Sequence, residues 1–375
     1  MHFLIAPDKF KDALSARQAA EALQEGILAA FPSATITLLP LADGGEGTAA
    51  ILTHLHKGNW METEVRGPSG KKITARWGFA PQQKEAYLEL ASASGLQLLS
   101  SEKRNPLYTS TYGTGELIAV TLEAGAQSII LGLGGSATND GGAGMAAALG
   151  FRFLDRKGQP IQHPNGMRLK DIHHIDSSHT NPLLKSCTIT AACDIQHPLL
   201  GPSGATYTFA SQKGAKAEDL LLLEAGMENL ASVVERDLGK SIRSFAGGGA
   251  AGGTGAGAFA FLNAELESGA ELILQSSGFK QQLQQTDWLI TGEGQFDDTS
   301  LQGKITGRVC ELANSRNIPT LVFCGNSSIR EKESYPLGVK EIIVISAQEK
   351  SLSAALLQTE KNLKQAAYKY FTSKK

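Results

Sequence analysis

Residues 128–150 read SIILGLGGSATNDGGAGMAAALG. Ser128 to Gly132 form a short apolar run of strand length, a glycine-dense turn follows, and an alanine-rich helix follows the turn. A strand that ends in such a turn and enters a helix is the repeating unit of an α/β sheet. Its bare amides and helix N-terminus suit an anion. This turn also carries Ser136, Thr138, Asn139 and Asp140. Two functional readings of it are open. GLGGSA (132–137) fits the dinucleotide pattern GxGxxA, and Asp155 lies about 20 residues on, as that fingerprint asks. GGGAAG (247–252) fits a related pattern, but no clear hydrophobic strand precedes it. A pyrophosphate resting on bare backbone has no use for four polar side chains, so a phosphate cradle of amides and hydroxyls fits the turn better. A purely structural glycine turn is the third reading.

The rest of the chain repeats the α/β rhythm at both ends. FLIA (3–6) predicts a strand. Ser15 caps a predicted helix to about Ala30, residues 35–40 predict a strand, and a helix starts near Thr48. The end of the chain predicts strands at 288–294, 319–325 and 341–347, a helix over 305–316 and a terminal helix. The middle differs. Residues 61–67, 71–80 and 85–94 read as short antiparallel strands. A helix spans about 113–124, strands follow at 151–155 and 187–194, and residues 156–182 read as a long loop. A long helix covers 216–238, and 246–262 is a second glycine turn running into a helix. The expected architecture is one parallel α/β domain from residues 1–65 and 286–375. A mixed-sheet α/β domain, 66–285, is inserted into it, and a cleft between two such domains is a common substrate site.

Composition narrows the functional classes. The 375 residues carry 35 basic and 37 acidic side chains, net −2, which lacks the basic excess of a nucleic-acid-binding surface. No run of 18 apolar residues occurs, so no membrane span is expected. The N-terminus does not read as a signal peptide. The four cysteines, at 187, 193, 310 and 324, form no CxxC pair. They read as reduced, mostly buried thiols of a cytosolic protein. His54, His56, His173 and His174 have no third metal ligand at useful spacing. Glycine stands out, with 41 residues clustered at predicted strand ends.

A second signal is a set of acidic residues after predicted strands: Asp8, Asp43, Asp194 and Glu293, with Asp297 and Asp298 beyond. Ligands of parallel α/β sheets gather outside the carboxyl ends of strands. Carboxylates placed there can hold Mg²⁺ or orient a hydroxyl. Lys9 and Lys11 beside Asp8 are candidate cations for an anionic substrate. Lys304, in LQGKITG (301–307), can meet a phosphate as a point charge, although no Walker A motif is present.

Taken together, these stretches resemble the bacterial glycerate kinases of the family that contains the tartronate-pathway and glucarate-pathway enzymes. The resemblance is carried by IAPDKFKDALSA (5–16), LPLADGGEGT (39–48), NPLYTSTYGTGELI (105–118), LGLGGSATNDGGAGMAAALG (131–150), ACDIQHPLLGPSGA (192–205), QKGA (212–215), GGGAAGGTGAG (247–257) and TGEGQFDDTSLQGK (291–304). The chain departs from the family pattern at Lys9, where serine is commoner, and at Gln295, where an arginine is usual.

The resemblance implies two α/β domains, one flavodoxin-like and one with a mixed sheet, with the active site in the cleft between them. It also implies ATP- and Mg²⁺-dependent phosphorylation of D-glycerate, at the 2-hydroxyl in most members, so that 2-phosphoglycerate is expected and 3-phosphoglycerate is the other product. On this reading Asp194 is the base, with Lys11 and Asp8 also catalytic. Gly134, Gly135, Ser136, Thr138, Asn139 and Lys304 bind the ATP phosphates, with an exchange of roles between the two glycine loops left open. Asp43, Gly44, Gly45, Gly252 and Gly253 face the substrate, and Asp297 and Glu293 meet the metal. Asp140 either meets metal or caps the helix. The expected partner is the small molecule alone, with neither nucleic acid nor membrane, in a cytoplasmic protein whose assembly, a homodimer included, is left open. The rival readings are an NAD-dependent oxidoreductase of a hydroxy acid and an anion sensor without turnover.

Overall fold

The structure, a computed structural model, describes residues 1–301, 303–329, 338–347, 349 and 351–373. It divides into two compact units, Met1–Asp43 with Ala270–Lys375, and Gly44–Gly269. Elements are numbered along the whole chain.

The first unit is built on strands β1 (His2–Ile5), β2 (Thr35–Leu38), β11 (Trp288–Phe296), β12 (Thr320–Ser327) and β13 (Val339–Val344). All pairings are parallel, in the order β13-β12-β11-β1-β2. Counted within the unit this is the flavodoxin-like order 2-1-3-4-5, whose switch point lies between its first and third strands. Here those strands are β1 and β11. Helix α1 (Ala16–Ala30) starts as the sequence predicts. Ser15 Oγ accepts from the Gln18 N–H at 3.3 Å, and Gln18 Oε1 accepts from the Ser15 N–H at 3.0 Å, a reciprocal cap. Its buried face, Ala19, Leu23 and Ile27, packs with the α12 (Leu352–Thr372) residues Leu363, Ala367 and Phe371 on Phe3, Ile5 and Phe323. Gly26 permits that crossing, since a Cβ there would stand 2.4 Å from the Lys364 carbonyl oxygen. Helix α11 (Ile305–Asn314) buries Cys310 with Phe296, Val322 and Cys324 of the sheet.

The second unit carries a six-stranded sheet in the order β10-β9-β6-β5-β4-β3. Its strands are β3 (Asn59–Arg66), β4 (Lys72–Ala80), β5 (Glu85–Glu89), β6 (Ser128–Gly132), β9 (Thr188–Ala192) and β10 (Glu265–Glu267). The first three pair antiparallel, and β5, β6, β9 and β10 pair parallel. The mixed sheet follows the sequence reading. Helices α2 (Thr48–Leu55), α3 (Leu90–Ser94), α4 (Tyr112–Glu123), α5 (Ala143–Ala148), α6 (Ala205–Phe209), α7 (Ala217–Leu238) and α8 (Ala250–Leu262) complete the unit. One core runs from Trp77 and Leu88 through Ile129, Leu131 and Met145 to Leu230, Val234 and Phe261.

Several expectations are corrected. The predicted strand 85–94 stops at Glu89, where α3 begins. Residues 156–182 are not all loop, because β8 (His174–Asp176) pairs with β7 (Arg152–Leu154) in a separate two-stranded sheet. That placement undoes the dinucleotide fingerprint, since the strand that follows the glycine loop and α5 does not return to the loop's own sheet. Asp155 instead closes a tight turn, its Oδ1 accepting from the N–H groups of Lys157 and Gln159 at 2.8 and 2.9 Å. The units divide at 43/44 and 269/270, where the sequence reading placed 65/66 and 285/286. Strand β3 pairs along its whole length with β4, which ties residues 59–66 to the mixed sheet. Helices α9 (Gly269–Ser276) and α10 (Phe279–Leu283) have no counterpart in the sequence reading. Part of the predicted strand 341–347 keeps its place in β13, while residue 348 and residues 330–337 lie outside the described ones. Among the described residues no helix is long and apolar enough to cross a membrane.

Candidate functional site

The carboxyl ends of the two sheets each carry an assembled group of residues. In the parallel-sheet unit the group sits at the switch point. The chain leaving β1 keeps to β11, with the Asp8 N–H donating to the Gly292 carbonyl at 2.9 Å. The chain leaving β2 follows β1 in turn, through Leu39 N–H to Ile5 O and Leu41 N–H to Pro7 O. These bonds bring Asp8, Lys9, Asp43 and Glu293 together. Lys9 Nζ stands 3.7 Å from Asp43 Oδ1. Asp8 and Glu293 are both buried. Burial and then the Asp43 charge push Asp8 up to about 7, against the Lys9 charge and the Lys9 N–H that donates to its Oδ1 at 2.7 Å. Burial also lifts Glu293 to about 7, opposed by the Ser300 and Thr306 hydroxyls and the Lys304 charge. Glu293 Oε1 is buried without a hydrogen bond of normal geometry among the described residues.

The other expected residues of this unit lie apart in character. Lys11 is exposed, and no ion pair holds it among the described residues. Asp297 serves its own turn, its Oδ1 accepting from the Thr299 N–H at 2.9 Å and the Thr299 hydroxyl at 2.6 Å, which holds its pKa down. Lys304 precedes α11 and donates to Thr299 Oγ1 at 3.1 Å. Among the described residues no group of three His, Cys, Asp or Glu side chains is placed to hold a metal by itself.

In the mixed-sheet unit the loop after β6 is the centre. Its outer part, Gly134 and Gly135, reaches solvent, while Ser136, Thr138, Asn139 and Asp140 are buried. The loop is pinned by Leu133 N–H to Ala192 O, Leu96 N–H to Gly135 O and Ala137 N–H to Ser94 O, at 2.8 to 2.9 Å. The N–H groups of Gly134, Gly135 and Ser136 have no acceptor among the described residues. Gly134 must lack a side chain, because a Cβ would stand 2.9 Å from Gly45 Cα. Gly44 and Gly45 are therefore the backbone wall against which the loop lies.

Asp140 resolves toward capping. It accepts from the Thr111 N–H at 2.7 Å, the Thr111 hydroxyl at 2.9 Å and the Gly142 and Gly144 N–H groups at 3.2 and 3.3 Å. Burial pushes its pKa up and these bonds oppose it. Thr138 and Asn139 turn inward. Asn139 Nδ2 donates to Thr206 Oγ1 at 3.3 Å, and Asn139 Oδ1 and Thr138 Oγ1 are buried without a partner among the described residues. Gly252 and Gly253 support the loop from below. Both take positive φ, and a Cβ on Gly252 would stand 1.9 Å from the Thr138 carbonyl oxygen. Asp194 follows β9 and accepts from Ser268 Oγ, which follows β10, at 2.6 Å.

Two residues of this unit escaped the sequence reading. Glu89, at the end of β5, accepts from the N–H groups of Gly47 and Ala49 at 2.9 and 3.1 Å and so caps α2 with a carboxylate. Lys213 is 2% exposed, and its ammonium donates to Ser136 Oγ at 2.7 Å and Thr138 O at 2.8 Å. Its one sequence signal is its place in QKGA, one of the stretches that carry the family resemblance.

Comparison with known proteins agrees with this architecture. The sequence profile described as the Glycerate kinase family matches residues 3–373. The chain is 40% identical to a glycerate kinase of Halalkalibacterium halodurans over 97% of its length and 96% of that protein's. It is 41% identical to the glycerate 2-kinase of Escherichia coli K12, covering 87% of this chain and 85% of that one. A crystal structure from Salmonella typhimurium LT2, described as that of a glycerate kinase 2, superposes with a TM-score of 0.85 at 37% identity and covers 100% of this chain. The chain belongs to the glycerate kinase family.

Proposed function

We propose that the protein transfers the γ-phosphoryl group of ATP to the 2-hydroxyl of D-glycerate, giving 2-phosphoglycerate and ADP. The observation that carries this reading is the loop 133–136. It offers three consecutive N–H groups without acceptors among the described residues, at the carboxyl end of a parallel strand and beside a hydroxyl held by a buried lysine. That arrangement suits a polyphosphate and leaves the protein little covalent chemistry to do.

In the reaction the glycerate hydroxyl oxygen bonds to the γ-phosphorus as the bond to the β–γ bridging oxygen breaks, and the hydroxyl proton passes to a carboxylate. Asp194 is the proposed base. Ser268 fixes one of its oxygens, which leaves the carboxylate in a set orientation. Lys11, exposed and without an ion pair among the described residues, is the proposed cation for the glycerate carboxylate, with Lys304 toward phosphate.

Asp8 and Glu293 fit a magnesium ion. Both supply hard oxygen donors, their charges repel, and one Glu293 oxygen lacks a normal hydrogen bond among the described residues. These two residues would hold the ion, with Asp297 better described by its own turn. Bound Mg²⁺ would neutralise developing charge on the phosphate oxygens.

The test is ADP release coupled to a spectrophotometric assay, with ATP, Mg²⁺ and D-glycerate. Release is expected only with all three present, and Asp194→Asn is expected to lower kcat by roughly 100-fold or more. D-glycerate-independent release would overturn the substrate assignment, and an Asp194→Asn enzyme of wild-type kcat would remove the base.

A further inference from the structure

We propose that Lys213 is a positioning residue for the phosphate loop. It grips Ser136 and Thr138 from inside the protein and commits the Ser136 hydroxyl to donate toward a bound phosphate oxygen. The inference rests on the nucleotide reading of residues 133–136.

An ammonium carries three hydrogens and no lone pair, so it can only donate. In its ammonium form, which a bound anion favours, Lys213 makes Ser136 Oγ, 2.7 Å from Nζ, the acceptor of that bond. The Ser136 hydroxyl hydrogen must point elsewhere, and no acceptor takes it among the described residues. A group that could have donated or accepted is thereby made a donor, beside the Gly134 and Gly135 N–H groups, which have no acceptor among the described residues. The second bond, 2.8 Å to the Thr138 carbonyl, fixes the far side of the same loop.

The lysine is itself held firmly. It ends the single turn Ser211–Lys213 that follows α6. Gly214 next to it has φ +96°, and a Cβ there would stand 2.1 Å from the Arg104 carbonyl oxygen. Burial draws Lys213 down to about 7, and the charge of Asp140 works the other way. An anion at the loop favours the ammonium form in the same sense as Asp140 does. Lys213 is 2% exposed, so its action on a ligand passes through Ser136 and the loop backbone.

The experiment is isothermal titration of the full-length protein with MgADP, together with steady-state kinetics, for wild type, Lys213→Met and Ser136→Ala. Lys213→Met is expected to weaken MgADP binding roughly 10- to 100-fold, as loss of a charged hydrogen-bond donor does. Its KM for ATP should rise in step, while kcat and the KM for D-glycerate stay within about threefold, a split that a general loss of structure would not give. Ser136→Ala should shift MgADP binding in the same direction, and it decides the matter if Lys213→Met does not fold. Wild-type MgADP affinity in a folded Lys213→Met protein, or in Ser136→Ala, would overturn the role of Lys213, as would a change confined to the KM for D-glycerate. A wild-type protein that binds no MgADP would instead defeat the nucleotide reading of the loop, and the role of Lys213 with it.

Discussion

Lys213 shows what a single residue's surroundings decide. The lysine of QKGA has no role of its own in the sequence. In the fold it is buried, hydrogen-bonded to the glycine loop and drawn down to about 7 from 10.5. The folded pKa lies below the unfolded one, so between pH 7 and 10.5 the unfolded chain binds more protons. Stability therefore rises with pH across that window. Lys213→Met removes this contribution. In urea unfolding of the ligand-free protein from pH 7 to pH 9, wild type is expected to gain stability relative to Lys213→Met. The gain is at most about 1.4 kcal/mol per pH unit. Parallel pH dependence in the two proteins would mean that Lys213 is not held in the state described. The strand-end carboxylates tell a more divided story, because the sequence marks where an acid lies but not what surrounds it. Asp8 and Glu293 are buried, with the Asp43 charge raising both, whereas Asp297 is consumed by its own turn and Asp140 by Thr111 and the N–H groups of Gly142 and Gly144.

At the scale of elements, the strand-turn-helix units with strong signals were legible. The Ser15 cap, the strand into the glycine loop and the terminal helix all stand where hydrophobic period and capping residues put them. Elements with weak local signals were not. Strand β10 is three residues, two of them exposed glutamates, and its pairing with β9 is a tertiary event. The end of β5 was missed because Ala and Ser continue the alternation past Glu89, while the chain turns there to cap α2. The second glycine segment was legible as a turn, but its purpose needed the packing. Ala251, Gly252 and Gly253 are left-handed at the start of α8, and the Gly252 backbone lies against Thr138. Gly252→Ala is expected to cost about 2 kcal/mol or more, since it adds overlap with a backbone carbonyl to an unfavourable φ. Gly158→Ala, at φ +73° with nothing within 4 Å, bears the φ cost alone and should lose about 1 kcal/mol. Equal losses of urea midpoint in the two variants would contradict the packing role.

At the scale of the molecule, two sheets of different kind are made from one chain whose ends share a unit. The flavodoxin-like order follows from that return, because β11, β12 and β13 add to the side of β1 opposite β2. The reversal at β1 is what gathers acids after β1, β2 and β11. The glycine content has the same logic, placing close backbone approach at strand ends such as Gly44–Gly45 against Gly134. Family membership accords with both features and bears on the kind of reaction, while the phosphorylated position rests on the proposal. That position is read most directly by phosphorus NMR of the product formed from ATP, Mg²⁺ and D-glycerate. A new phosphomonoester resonance whose coupling assigns it to the C2 oxygen is the expected result. A signal coupled to the C3 methylene would move the transfer to the other hydroxyl, and no new phosphoester would contradict phosphoryl transfer to glycerate altogether.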